Sequence, residues 1–151
     1  MIVRHPEPKD YEGIKALIEC FYKDSLNAYG MTFDSRSLMQ YISNLQESSF
    51  VITDQEGQVH GCLGGQIIEQ ACTNEKTYQE IVWFVNPLNR SCGMKLLRHL
   101  EKWCARNRIQ RIVMASMHNS MHERLDHFYQ LMGYRPMETH YIKGIQHAAN
   151  V

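Results

Sequence analysis

The chain alternates between segments with helical and with strand-like hydrophobic spacing. Four amphipathic helices are predicted: after Asp10, after Asp34, over residues 92–107, and after Asn119 or Ser120. Short apolar runs predict strands at residues 2–5, 50–53, 59–68, 78–85, 111–117 and 137–142. The resulting order, β-α-α-β-β-β-α-β-α-β, predicts a mixed α/β domain with parallel and antiparallel pairing.

Residues 82–97 are the most informative stretch. An apolar run over residues 82–85 is typical of a buried strand and stops before Pro87, which has no N–H for the ladder. A short polar loop then brings Arg90 and Gly93 to the start of an amphipathic helix. Because backbone N–H groups and the positive end of the helix dipole converge at such a junction, it favours phosphate binding.

Two local signals refine the predicted elements. Gly133 follows the last helical segment, where a glycine in the left-handed conformation commonly ends a helix. The strand predicted at residues 59–68 contains three glycines, which indicate a bulge or a close backbone approach. They are Gly61, Gly64 and Gly65.

Composition narrows the class of protein. With 151 residues, of which 44% are hydrophobic, we expect one domain spanning residues 1–151. Lys and Arg total 16, as do Asp and Glu, so the net charge of +0 disfavours a nucleic-acid partner. No run is long enough to span a membrane, and no signal peptide is evident. The five cysteines form no CxxC pair, which predicts reduced thiols and a cytoplasmic location.

Two motifs, together with the order of elements, resemble the GCN5-related N-acetyltransferase (GNAT) superfamily over nearly the whole chain. Residues 90–95 resemble the family's R/Q-x-x-G-x-G/A pyrophosphate loop, and residues 128–134 are similar to its FYxxxGF signature. The chain departs from the family at Lys95, where the loop ends in Gly or Ala, and at His122, where an Asn is usual. The resemblance implies a mixed, largely antiparallel sheet with a splayed central strand pair and helices on both faces.

The resemblance also implies acetyl-CoA as co-substrate and direct acetyl transfer to an amine in a ternary complex. Backbone N–H groups near Phe84 and Val85 would polarise the thioester carbonyl, and His122 would lie near the pantetheine arm. The pyrophosphate would be held by six consecutive residues: Arg90, Ser91, Cys92, Gly93, Met94 and Lys95.

Two residues are candidates for proton transfer. Glu80 is expected to be the general base, on the face shared by Val82 and Phe84, because a partly buried carboxylate acquires a raised pKa. Tyr129 is expected to be the general acid, at the edge of an apolar stripe that Phe128 fills. The alternatives for the base are a water molecule or another carboxylate: Glu69, Glu75 or Asp24.

The acceptor is expected to be an amine on a small molecule or on a protein or peptide. Residues 21–36 usually shape its site in the family, and they combine aromatic and acidic side chains. His118 and His122 have the spacing of a helical metal pair, but no third ligand is evident and we predict no metal. A homodimer is compatible with the sequence, and no membrane partner is expected. The alternative functions are a non-catalytic CoA-binding sensor and a toxin-type acetyltransferase acting on aminoacyl-tRNA.

Overall fold

Five strands form one mixed sheet in the computed structural model of the protein, which describes residues 1–146. The strands are β1 (Ile2–Arg4), β2 (Ser49–Thr53), β3 (Val59–Glu69), β4 (Lys76–Val85) and β5 (Arg111–Val113). They lie in the order β1-β2-β3-β4-β5, and the β4–β5 pair is parallel while the others are antiparallel. The helices are α1 (Tyr11–Asp24), α2 (Ser35–Asn44), α3 (Gly93–Arg106) and α4 (His122–Leu131). The predicted mixed α/β domain is confirmed.

Helices cover both faces of the sheet, as predicted. Phe50 and Ile52 of β2 pack against α3, and Val51 between them packs against α1 and α2. This alternation follows from the two-residue period of a strand, which sends successive side chains to opposite faces. None of the helices among residues 1–146 is long and apolar enough to cross a membrane.

A buried polar pair fastens the sheet to the turn before β2. The hydroxyl of Tyr78 donates to the carbonyl oxygen of Ser48 at 2.8 Å, and Ser48 Oγ donates to the carbonyl oxygen of Gly65 at 2.5 Å. Both side chains therefore satisfy their hydrogen-bonding groups inside the core. The close packing of Tyr78 against Gly65 leaves no room for a larger residue at position 65.

A β-bulge at Gly64 and Gly65 confirms the prediction from the glycine pattern. Val82 pairs with Gly64 while Glu80 pairs with Gly65, so β4 carries one extra residue at this point. In a regular strand, two residues an odd number of positions apart lie on opposite faces. Because of the bulge, Tyr78 and Trp83 both pack on the α3 side in spite of such a separation. The prediction that Glu80 shares a face with Val82 and Phe84 assumed uninterrupted alternation, and that assumption is wrong.

Two predicted strands differ from the structure. The strand predicted at residues 111–117 ends at Val113, and residues 137–142 form no strand. Three apolar side chains of the second segment are exposed: Met137, Tyr141 and Ile142. The local pattern of this segment suits a strand, but within residues 1–146 no neighbouring strand pairs with it.

The predicted helix ends are partly confirmed. Asp34 caps α2 by accepting from the backbone N–H of Arg36, and Gly133 follows α4 in the left-handed conformation, with φ of 87°. Asp10 does not cap α1, because its carboxylate accepts instead from the Glu7 N–H and from the guanidinium of Arg4. The residue before α4 is not Asn119 or Ser120 but Met121, which has φ of 52°.

Gly65→Ala is predicted to lower the free energy of unfolding by about 1–3 kcal/mol, the usual cost of overpacking. A Cβ atom at this position would lie 2.7 Å from ring carbons of Tyr78, which the bond to Ser48 holds in place. Urea denaturation measures the change. Gly144→Ala is the control, since no atom lies within 4 Å of its Cβ position. Equal denaturation midpoints for the two variants would contradict the prediction.

Candidate active site

Strands β4 and β5 pair over only three residues and then separate. The last pair is Gln79 with Val113, whereas β4 continues to Val85. Residues 114–121, here called the crossing segment, leave β5 and lead to α4 without forming a strand. Within residues 1–146, the far part of β4 therefore has no strand neighbour on this side. This is the splayed strand pair expected from the resemblance.

Glu80 lies where the two strands part. Its carboxylate oxygen Oε2 accepts from the backbone N–H of Ala115 at 2.8 Å, and the residue is 9% exposed. Burial raises the pKa of Glu80 to about 7, while the hydrogen bond from Ala115 acts in the opposite direction. A carboxylate with this pKa is suited to accepting a proton near neutral pH.

The other carboxylates considered as bases lie in more open positions. Glu69 and Asp24 are exposed, and Glu75 is half-buried and paired with the guanidinium of Arg111. Of the four carboxylates, Glu80 is the only buried one. The geometry therefore favours Glu80.

Tyr129 contacts the same residue of the crossing segment. Its hydroxyl donates to the carbonyl oxygen of Ala115 at 3.0 Å. Burial raises the pKa of Tyr129, and the nearby Glu80 raises it further, so the phenol stays protonated. Ala115 thus joins Glu80 and Tyr129 through its own N–H and C=O groups.

The prediction that Phe128 fills the apolar stripe and leaves Tyr129 at its edge is wrong. Tyr129 is 8% exposed and is the buried residue of α4, whereas Phe128 is half-buried. The Tyr129 ring packs 6.0 Å from that of Trp83, and Ala115 supplies the acceptor that a buried hydroxyl needs.

The rest of the crossing segment is tied to neighbouring elements. Ser116 Oγ lies 2.9 Å from Nδ1 of His122, whose ring stacks on that of His118 at 4.4 Å. Asn119 Nδ2 donates to the carbonyl oxygen of Ser25 at 2.9 Å and so joins the segment to the end of α1. Among residues 1–146, no group of three His, Cys, Asp or Glu side chains is placed to hold a metal ion.

The polar loop predicted after β4 is wound into a 3-10 helix, Pro87–Cys92, that runs directly into α3. The guanidinium of Arg90 is exposed and contacts the sulfur of Met121, the last residue of the crossing segment. Among the residues expected to bind pyrophosphate, Cys92 and Gly93 are buried, and four are exposed. The exposed ones are Arg90, Ser91, Met94 and Lys95.

Gly93 has a packing role of its own. A Cβ atom at this position would lie 3.2 Å from Cζ2 of Trp83, so glycine allows α3 to approach β4 closely. Its φ of −58° is ordinary for a helix, and its N–H donates to the carbonyl oxygen of Arg90. The contact with Trp83 favours glycine at this position whether or not a phosphate binds.

Sequence reasoning assigned no role to Trp83 or Ala115. The indole Nε1 of Trp83 is buried and has no acceptor among the described residues. Ala115 contributes only backbone groups, and an alanine in an apolar run gives no signal of such a role. Only the pairing register and the position of α4 reveal it.

Phe84, near the end of β4, faces α1, whereas its neighbour Val85 packs on the α3 side. Phe84 packs its ring 5.7 Å from that of Phe21, and both Phe84 and Val85 are half-buried. Phe84 also lines a groove of about 520 Å³ between α1, the β2–β3 turn and the end of β4. The groove lining includes neither Glu80 nor Tyr129, so the groove is separate from their meeting point at Ala115.

The residues present fit acetyl-CoA in two respects. The edge of β4 beyond Gln79 can pair with the amide groups of a pantetheine arm, as a short strand would. The exposed residues at the start of α3 combine two cations with the positive end of the helix dipole, which suits a diphosphate.

Comparison with solved structures finds the same fold. The chain is similar in structure to an acetyltransferase from Trypanosoma brucei (15% identity, TM-score 0.74, covering 95% of this chain and 99% of the other). It is also similar to glucosamine-6-phosphate N-acetyltransferase from Arabidopsis thaliana (13% identity, TM-score 0.72, covering 96% of this chain and 98% of the other). A third similar structure is an aminoglycoside acetyltransferase from an uncultured soil metagenomic sample (15% identity, TM-score 0.71, covering 96% of this chain and 98% of the other). At these identities the likeness shows the fold alone.

No curated protein matches the sequence. The model of the Acetyltransferase (GNAT) family matches residues 14–134, which include the separation of β4 from β5, the start of α3 and Tyr129. Because this match spans most of the chain, the protein belongs to the GNAT acetyltransferase family.

Proposed function

We propose that the protein is an acetyl-CoA-dependent N-acetyltransferase that moves the acetyl group directly to an amine in a ternary complex. The observation that carries the proposal is the meeting of Glu80 and Tyr129 at Ala115, beside the open edge of β4. A carboxyl group with a pKa of about 7 and a protonated phenol then lie together beside the open edge of β4.

In the proposed complex, the diphosphate of CoA lies at the start of α3, near Arg90 and Lys95. The pantetheine arm runs along the open edge of β4 towards Glu80 and passes near His122. The backbone N–H of Val85 holds the thioester carbonyl oxygen, where negative charge develops in the transition state. The N–H of Phe84 points to β3 instead, because Asn86, two residues further on, donates to the carbonyl oxygen of His60. The splay of β4 from β5 supports this arrangement.

Transfer begins when the neutral form of the amine, which has already released one proton to solvent, attacks the thioester carbonyl carbon with its nitrogen lone pair. The new C–N bond forms, the C–S bond breaks, and its electron pair leaves with the sulfur. Glu80 accepts the proton that the amine loses, directly or through a water molecule, and later releases it to solvent. The Tyr129 hydroxyl turns from Ala115 and donates a hydrogen bond to the departing thiolate, which takes its proton from solvent.

The acceptor is proposed to be a cationic amine on a small molecule, protein or peptide. Tyr22 and Asp24 lie at the end of α1, which Asn119 joins to the crossing segment through Ser25. The Asp34 carboxylate already caps α2, so Asp24 is the better candidate for attracting an ammonium group.

A second candidate function is a CoA-binding sensor without transferase activity. It is favoured by Lys95, which places a long exposed side chain where the family loop ends in Gly or Ala. Calorimetry with acetyl-CoA, followed by a thiol-release assay over a panel of amines, tests the proposal. CoA released with at least one amine supports the transferase. Tight binding without release from any amine supports the sensor, and no binding refutes both.

Glu80→Gln is predicted to lower kcat by about 10²–10⁴-fold, the usual contribution of a general base. The wild-type rate should rise with pH through about 7, because only the ionised carboxylate accepts a proton. The variant should lack this inflection. Pre-steady-state acetyl transfer at several pH values measures both effects. Glu69→Gln, which changes an exposed carboxylate, is the control. An unchanged pH profile in Glu80→Gln would exclude Glu80 as the base.

Tyr129→Phe is predicted to slow acetyl transfer with little change in the Kd for acetyl-CoA, because the hydroxyl is expected to act on the departing thiolate. Loss of the bond to Ala115 should also reduce stability, by about 1 kcal/mol. Tyr134→Phe is the matched control: Tyr134 is a half-buried residue whose hydroxyl donates to Glu101. If both variants turn over at the wild-type rate where chemistry is rate-limiting, Tyr129 has no part in the mechanism.

Arg90→Gln is predicted to raise the Kd for CoA by about ten- to hundredfold, as expected for losing a hydrogen bond to a charged group. It should leave binding of S-acetylpantetheine, which has no diphosphate, unchanged. Calorimetry at two salt concentrations should also show a weaker salt dependence in the variant. Arg98→Gln, on the exposed face of α3, is the control. Equal effects of the two substitutions would place the diphosphate elsewhere.

A further inference from the structure

A chain of three side chains joins the β2–β3 turn to the 3-10 helix before α3. Asp54 Oδ2 lies 2.7 Å from Nε2 of His60, and Nδ1 of His60 lies 3.1 Å from Nδ2 of Asn89. The side chains of His60 and Asp54 are 12% and 24% exposed, so solvent competes weakly for these bonds. None of the three residues has a role in the proposed acetyl transfer.

The direction of each hydrogen bond follows from the chemistry of the groups. An ionised carboxylate only accepts, so Nε2 of His60 donates to Asp54. In the neutral ring the other nitrogen is then an acceptor, and it receives an N–H of the Asn89 amide. Asp54 is itself held by the backbone N–H of Gln58, at 2.8 Å. The imidazole ring is therefore held at both nitrogens.

Asn89 occupies a critical place in the backbone. With φ of −124° and ψ of 27°, it departs from helical geometry inside the 3-10 helix Pro87–Cys92 and lies directly before Arg90. Its N–H donates to the carbonyl oxygen of Asn86, whose own N–H donates to the carbonyl oxygen of His60. His60 thus meets this helix twice, through its backbone at Asn86 and through its ring at Asn89.

We propose that His60 is a positioning residue for the diphosphate of CoA. By holding Asn89 in its non-helical conformation, it orients the backbone at Arg90 and the first turn of α3 before the ligand arrives. His60 does not touch the diphosphate. It strengthens the binding of CoA because this part of the backbone loses less conformational freedom when the ligand binds. This inference rests on the proposed function, because the diphosphate is that of the proposed co-substrate.

His60→Ala is predicted to raise the Kd for CoA about five- to tenfold, the loss expected for one hydrogen bond between neutral groups. The Kd for S-acetylpantetheine should not change, because that ligand carries no diphosphate. Calorimetry measures the first affinity, and an NMR titration measures the second. A purely structural role for His60 would weaken the binding of both ligands.

Two further variants sharpen the test. Asn89→Ala removes the same hydrogen bond from its other end and should produce the same change, and the double variant should be no weaker than either single one. Gln55→Ala, in the same turn but with an exposed side chain, is the control and should bind CoA like the wild type. If His60→Ala does not fold, Asn89→Ala alone decides the matter.

Three outcomes would overturn the inference. They are a wild-type Kd for CoA in both single variants, an equal loss for CoA and S-acetylpantetheine, and fully additive effects in the double variant. Wild-type protein that binds no CoA would refute the proposed function and this inference with it. Wild-type protein that binds CoA, with both single variants binding it equally well, would overturn the inference alone.

Discussion

The separation of β4 from β5 after Gln79 is the constraint on which the rest of the site depends. Once the ladder stops, the N–H and C=O groups of Ala115, an exposed residue, bond to side chains instead of to the backbone of β4. Glu80 supplies the acceptor and Tyr129 the donor. The same opening that leaves an edge of β4 free for a ligand therefore brings two titratable side chains to one point.

Burial gives these two side chains their chemical character. Removing the Glu80 carboxylate from water raises its pKa to about 7, and the single hydrogen bond from Ala115 does not cancel this effect. Burial acts on Tyr129 in the same direction and keeps the phenol protonated. A carboxyl group with a pKa of about 7 and a protonated phenol thus lie on either side of one residue, Ala115.

The start of α3 combines a packing requirement with a candidate binding role. Gly93 lets α3 lie against Trp83, and this contact brings the first turn of the helix next to the end of β4. Arg90 contacts Met121, so the 3-10 helix before α3 also meets the crossing segment. The two parts of the proposed site, one for diphosphate and one for the acetyl group, are joined through the backbone and through these contacts.

The sequence by itself determined the order of elements from β1 to α4, the glycine-dependent bulge, and the positions of Glu80, Gly93 and Tyr129 along the chain. These features follow from local periodicity and from residue-specific backbone preferences, which neighbouring residues suffice to express. Only the tertiary structure decided that β5 ends at Val113, that Tyr129 is buried while Phe128 is half-buried, and that residues 137–142 form no strand. It also decided the links through Ala115 and from His60 to Asn89. Each of these features depends on contacts between residues that are far apart in the chain. Local hydrophobic periodicity does not indicate which backbone groups a distant side chain will bind, or whether a strand will find a pairing partner.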